Sequence, residues 1–213
     1  RQTIINPMTD ETLVKDGEVN YTLDGITFFG EPDGTRSERV DQIAQAFHDA
    51  GLKAAAVENI LSIEWTKQAI QNPFAPLAAI TRLPVHLVWS SPELAALSVH
   101  MFREVAAVAD ALHITLSEHP AWSLFDQKTL RDASFDEAVS MLVNVGQQVR
   151  ESGRTHIIPS MLQDVMAGKK TEIGETVGHV FKEGQRLGIP VPYTEFAYRV
   201  VRAIEDDFPG RLS

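Results

Sequence analysis

Pro159-Ser-Met-Leu-Gln-Asp-Val-Met-Ala-Gly-Lys-Lys-Thr-Glu-Ile173 is the stretch on which the reading of this chain turns. Met161, Leu162, Val165 and Met166 recur at helical spacing and are expected on a buried side, which leaves Ser160, Gln163 and Asp164 to share the polar one. Ser160 has the residue type of an N-cap. Gly168 stops the helix, and Gly168-Lys-Lys-Thr-Glu172 makes a tight turn into the next one. That helix is expected to start at Thr171 and to bury Ile173, Val177, Val180 and Phe181 before Gly188-Ile-Pro190 ends it. Glu172 then falls in its first turn, where the helix dipole favours a carboxylate.

Helices continue in both directions. Ile60 to Ile80 forms one, disturbed by Pro73 and Pro76. A second has Ser91 as cap, Pro92 at the first helical position and a stripe of Leu94, Leu97, Met101, Val105, Val108 and Leu112. A third opens with a Ser134–Glu137 capping box and carries Met141, Leu142, Val145 and Val149. The last runs from about Thr194 to Asp206. Before residue 60 the pattern differs. Gln2 to Ile5, Thr12 to Lys15 and Tyr21 to Gly30 read as strands, with turns at Asp24-Gly25 and Asp33-Gly34. A helix capped by Ser37, carrying Val40, Ile43, Ala44 and Phe47, ends at Gly51, and Lys53 to Val57 is one more strand. This is the pattern of the tail of an α/β domain. The expected division is residues 1–60, a β-strand and helix remnant, and 61–213, a helical domain; Arg1 in place of Met reads as a cut end.

Composition narrows the function. The 213 residues carry a formal charge of −10, which disfavours nucleic acid as a partner, because affinity for it depends on clustered Lys and Arg. A small anionic substrate stays compatible, since a local cationic site can sit inside an acidic protein. There are no cysteines, so disulfides, cysteine nucleophiles and thiolate metal sites are excluded, and a cytoplasmic setting fits. No apolar run approaches the roughly 18 residues that span a bilayer. The seven histidines show no shared ligand spacing, and no Gly-x-Ser-x-Gly, His-Glu-x-x-His, P-loop or Gly-x-Gly-x-x-Gly is present.

Three side chains stand out. Lys67 falls in the apolar stripe of Ile60, Ile63, Ile70, Phe74 and Leu77, where an ammonium is either paired or lies at the edge and reaches water. Ser160 and Glu172 each have an ordinary structural reading, as cap and as dipole partner. Together they would suit one reaction class. Hydride transfer to a 2-oxo acid puts negative charge on the former carbonyl oxygen. An ammonium that donates a proton there lowers the barrier, while a carboxylate and hydroxyls hold the substrate.

Trp65-Thr-Lys67 with its apolar, proline-containing continuation resembles the start of the C-terminal domain of ketopantoate reductases. Residues 159–173, continuing through Gly178 and Gly184 to Leu187-Gly-Ile-Pro-Val-Pro192, resemble that family's most distinctive segment. Ile26-Thr-Phe-Phe-Gly-Glu-Pro-Asp-Gly34 and Ser37-Glu-Arg to Ala50-Gly51-Leu resemble the end of its N-terminal domain. The resemblance implies a mostly α fold, with a helical C-terminal domain of the 6-phosphogluconate-dehydrogenase C-terminal-like type after the remnant of a Rossmann-type α/β domain. It implies NADPH bound mainly by a preceding Rossmann domain, and reduction of 2-dehydropantoate to pantoate for pantothenate biosynthesis. Lys67 would be the general acid, and Glu172 would help to hold substrate and cofactor. Ser160 would contact the substrate carboxylate, and Asp164 would support its helix. A homodimer is compatible with this.

The sequence also departs from the family pattern. Asparagines commonly stand four and eight residues after the lysine, where this chain has Gln71 and Ala75. Asn72 is one position off, about 100° around a helix, and Pro73 is additional. Another asparagine usually follows the Leu-Pro ending at Pro84, where this chain reads Val85 and His86. The stretch from His119 to Arg154 is longer than the family needs. Gln71 would then replace an asparagine in contacting the substrate. Two alternatives stay open: a related hydroxy-acid dehydrogenase acting on another 2-oxo acid, and a non-catalytic helical module for dimerisation or ligand sensing.

Overall fold

The computed structural model describes residues 3–5, 11–15, 18–21, 25–117, 126–153, 155 and 158–206. Arg1, Gln2, Asp24, His119 and Arg154, all used in the sequence reading, lie outside them. The chain divides into two compact units, Arg1–Lys67 with Ile114–Ser123, and Gln68–His113 with Leu124–Ser213.

The first unit holds the strands. β1 (Thr3–Ile5) pairs antiparallel with β4 (Thr27–Gly30), which pairs in parallel with β5 (Ala54–Ala56). β2 (Glu11–Lys15) and β3 (Glu18–Tyr21) form a separate antiparallel pair. The run expected as one strand from Tyr21 to Gly30 is therefore shared between two sheets, with Gly25 and Ile26 in neither. α1 (Glu38–Asp49) crosses from β4 to β5, as parallel pairing requires. Its cap is as expected: Ser37 Oγ accepts from the Val40 amide, and Gly51 closes the helix at φ +78°. Val40 and Ala44 bury against Phe29 and Ala54, and the Phe47 ring meets the Phe29 ring edge-on at 4.9 Å.

α2 (Ile60–Thr81) starts in the first unit and continues in the second. Asn59 Oδ1 accepts from the Ser62 amide at its start. Ser62 and Thr66 then hold the returning segment: Ser62 Oγ donates to the Thr115 carbonyl, and the Ser117 amide donates to Thr66 Oγ1 at 2.8 Å. The helix passes through Pro73 and Pro76 without ending. Each proline lacks the N–H that would reach the carbonyl four residues back.

The second unit is helical around α4 (Pro92–Ala111), which is packed by α3 (Val85–Ser90), α5 (Gln127–Asp132), α6 (Phe135–Glu151), α8 (Val177–Leu187) and α9 (Pro192–Asp206). Its buried surface extends well beyond the stripe expected of it. Ala95, Ser98, Val99, Phe102, Glu104, Ala106 and Ala109 are buried as well, and Leu94, Leu97 and Leu112 only partly. Ser91 holds the capping position, but its side chain makes no cap hydrogen bond. The Ser134–Glu137 capping box is formed in full. α3 and α5 were not expected, and α5 with α6 occupies the described part of the long 119–154 stretch.

Candidate active site

In the first unit the stripe of α2 is buried as its spacing predicts, at Ile60 and Ile63, and Lys67 is half-buried in the same row. Trp65 and Thr66 beside it are buried, with Thr66 Oγ1 donating to the Ser62 carbonyl at 2.7 Å. Glu64, one turn before Lys67, was not singled out by sequence. It is half-buried, and burial pushes its carboxyl above the usual range.

In the second unit three expectations are corrected, the first two at α7 (Ser160–Met166). Pro159 holds the N-cap position, so Ser160 is the first helical residue, and its exposed hydroxyl caps nothing. Met161, Leu162 and Val165 are buried, but Met166 is 66% exposed. The helix closes at Gly168, φ +67°, with Gly168 N–H on the Val165 carbonyl and Lys169 N–H on the Asp164 carbonyl at 2.8 Å. This paired closure needs the left-handed residue that glycine supplies at no steric cost.

The third correction concerns Glu172. The following helix begins at Val177, not Thr171. Residues 171–176 form a turn, and Thr176, at φ −100° and ψ −93°, breaks any helical run through it. Glu172 is thus outside the helix, and the dipole argument for its placement falls. Other contacts hold the turn. Ile173 is fully buried with Ala79, Met161, Val165, Val177 and Val201. The Glu172 carbonyl accepts from the amides of Glu175 and Thr176 and from Thr176 Oγ1. Glu205 of α9, buried to 6% exposure, accepts at Oε1 from both the amide and the hydroxyl of Thr171, each at 2.6 Å.

Ser160 and Asp164 stand one turn apart on α7, and the packing of Met161, Val165 and Ile173 ties that helix to the Glu172 turn. Ser160 and Glu172 are exposed, Asp164 and Gln71 half-buried, and none of the four side chains has a hydrogen bond or ion pair among the described residues. Gln163, by contrast, donates to the Ile158 carbonyl. Asn72, beside Gln71, is buried, with Nδ2 unpartnered among the described residues. Ala75 packs on the Ile173 core, and Val85 is buried. Lys67 belongs to the other unit. Among the described residues no group of three or more His, Asp or Glu is placed to hold a metal.

The family model described as "Ketopantoate reductase PanE/ApbA C terminal" matches residues 59–205. The chain belongs to the ketopantoate reductase family. It is similar to the 2-dehydropantoate 2-reductase of Archaeoglobus fulgidus, 29% identical over 189 residues that cover 89% of this chain and 56% of the relative. The ketopantoate reductase fold is also that of the 2-dehydropantoate 2-reductase crystal structure from Methylococcus capsulatus, with a TM-score of 0.74 at 24% identity, covering 99% of this chain and 65% of that one. D-mandelate dehydrogenase in its ternary structure with NADH and anilino(oxo)acetate has a TM-score of 0.73 at 19% identity, over 95% of this chain and 59% of that one. The chain spans about half the length of the curated relatives it matches. Within the family segment, the buried or half-buried carboxylates Glu64, Glu104 and Glu205 escaped the sequence reading, and Thr171 was read only as a helix start. Glu205 follows Arg202 by three residues, the pattern of a surface ion pair, so a single sequence carries no signal of its burial.

Proposed function

We propose that the complete protein carrying this chain is an NADP-dependent 2-oxo-acid reductase of the ketopantoate reductase type, with 2-dehydropantoate as substrate and pantoate as product. The observation that carries this reading is the set of polar side chains with no partner among the described residues, Ser160, Asp164 and Glu172, on a fixed segment of a family member. A fold that holds the backbone of Glu172 by several hydrogen bonds and leaves its carboxylate unengaged has a carboxylate available for a ligand. That fits the hydroxyls of a cofactor ribose or of a substrate. The phosphates need another holder, because the chain has no Gly-x-Gly-x-x-Gly. Residues 1–60 are accordingly assigned to the end of a dinucleotide-binding domain and 61–213 to the substrate side.

When bound, the nicotinamide supplies a hydride to the carbonyl carbon of the oxo acid. Charge then builds on the carbonyl oxygen, and Lys67 Nζ donates a proton to it, giving the hydroxy acid and a neutral amine that is reprotonated from water. Ser160 Oγ donates to the substrate carboxylate, Gln71 reads the substrate's polar groups, and Glu172 accepts from hydroxyls of cofactor and substrate. Asp164 supports α7.

A second reading, a hydroxy-acid dehydrogenase with another 2-oxo acid, is favoured by one observation. Ala75 and Val85 are apolar, and Gln71 is longer, where the family pattern has asparagines. A site built to hydrogen-bond a substrate hydroxyl discriminates strongly against analogues that lack it, and removing the amides removes that discrimination. The test is NADPH oxidation by the complete protein with 2-dehydropantoate beside unhydroxylated aliphatic and aryl 2-oxo acids. Highest kcat/KM with 2-dehydropantoate supports the first reading. Preference for an unhydroxylated acid supports the second, and no turnover from a folded protein that binds NADPH overturns both.

A further inference from the structure

The turn that carries Glu172 is fixed from both sides. Ahead of it, Thr171 gives its amide and its hydroxyl to Glu205 Oε1, each at 2.6 Å. Behind it, the Ile173 amide donates to Thr171 Oγ1 at 3.1 Å, and the Ile173 side chain is fully buried. The other oxygen of Glu205 accepts from Arg202 Nη1 at 2.9 Å, and the glutamate side chain is only 1% exposed. This is a different object from an exposed i,i+3 pair. Taking a carboxylate out of water is costly, and a packed apolar side chain at such a position is often equal or better for stability. A buried glutamate that spends one oxygen on a single residue of the neighbouring turn therefore contributes geometry more clearly than stability.

We propose that Glu205 is a positioning residue for Glu172. It acts through Thr171, setting the backbone from which the Glu172 carboxylate is presented. The proposal rests on the functional reading of Glu172 given above. Displacing a binding group by about 1 Å costs up to about 100-fold in rate, so Glu205→Ala is expected to lower kcat/KM by about 10- to 100-fold. Glu205→Gln keeps an acceptor oxygen for Thr171 and restores most of that loss.

The test is a double-mutant cycle in the complete protein, with kcat/KM for NADPH and for the 2-oxo acid measured for wild type, Glu172→Ala, Glu205→Ala and the double variant. Positioning through Glu172 predicts a double variant no worse than Glu172→Ala alone. Independent losses that multiply, or a Glu205→Ala variant with unchanged kinetics, overturn the proposal and leave the reading of Glu172 intact. An unimpaired Glu172→Ala overturns that reading, and the proposal with it. Should Glu205→Ala not fold, Thr171→Val takes its place, since it loses the hydroxyl's bonds to Glu205 and from the Ile173 amide and keeps the Thr171 amide's bond to Glu205. The same non-additivity with Glu172→Ala is expected of it, and additivity overturns the proposal.

Discussion

His86 shows what burial does to a single residue in this fold. It is 7% exposed in α3, its Nδ1 has no partner among the described residues, and burial, then the nearby charge of Arg150, hold its pKa below the ordinary 6.5. The fold therefore keeps the ring neutral where the unfolded chain would already take up a proton. Stability from this group is complete above the unfolded value and is lost as pH falls from there towards the depressed folded value. Melting curves between pH 7.5 and 5.5, on the order of one unit either side of the ordinary imidazole value, should show Tm falling with pH, and His86→Phe should flatten that dependence. An unchanged slope in the variant would assign the effect to other groups. Arg82, exposed just past the end of α2, carries a cost of another kind: it is a non-glycine residue at φ +58°, where an L side chain costs about 1–2 kcal/mol.

Among the elements, helix ends were the most legible. Gly51, Gly168 and Gly188 each close a helix at positive φ, as their places in the sequence predict. α3 and α5 were not legible, because six residues make less than two turns and carry no periodic stripe. The start of α8 was misplaced for a different reason. Ile173 is as buried as helical spacing predicts, yet it lies in a turn, so the core pattern survived while the backbone did not follow it. Lys67, Ser160 and Glu172 were singled out from local pattern and the family resemblance, whereas the Glu205–Thr171 link joins residues 34 apart and has no local signature. Packing between elements gives its own prediction. A Cβ on Gly146 of α6 would lie 2.4 Å from the Ser90 amide nitrogen and 2.9 Å from the His86 carbonyl oxygen of α3. Backbone cannot yield there as a flexible side chain could. Gly146→Ala should therefore destabilise by about 1–3 kcal/mol in denaturant unfolding, despite alanine's better helix propensity. A stabilised variant would mean that the two helices do not approach so closely.

For the whole molecule, the fold class and the family were readable because one segment, residues 159–192, carries both a helical pattern closed by Gly168 and Gly188 and the stretch that resembles the family. With a formal charge of −10 the proposed carboxylate substrate would depend on local cations, and in the proposed mechanism Lys67 is the one that carries the proton transfer. The chain covers about half the length of its curated relatives, so its chemistry is to be tested in the complete protein. The most direct measurement is the steady-state rate of NADPH oxidation with 2-dehydropantoate, wild type beside Lys67→Ala, with circular dichroism and NADPH binding as controls. Lys67→Ala is predicted to keep its helical spectrum and its affinity for NADPH while kcat falls by about 10²- to 10⁴-fold, the range of a lost general acid. Turnover close to wild type in that variant would contradict the account.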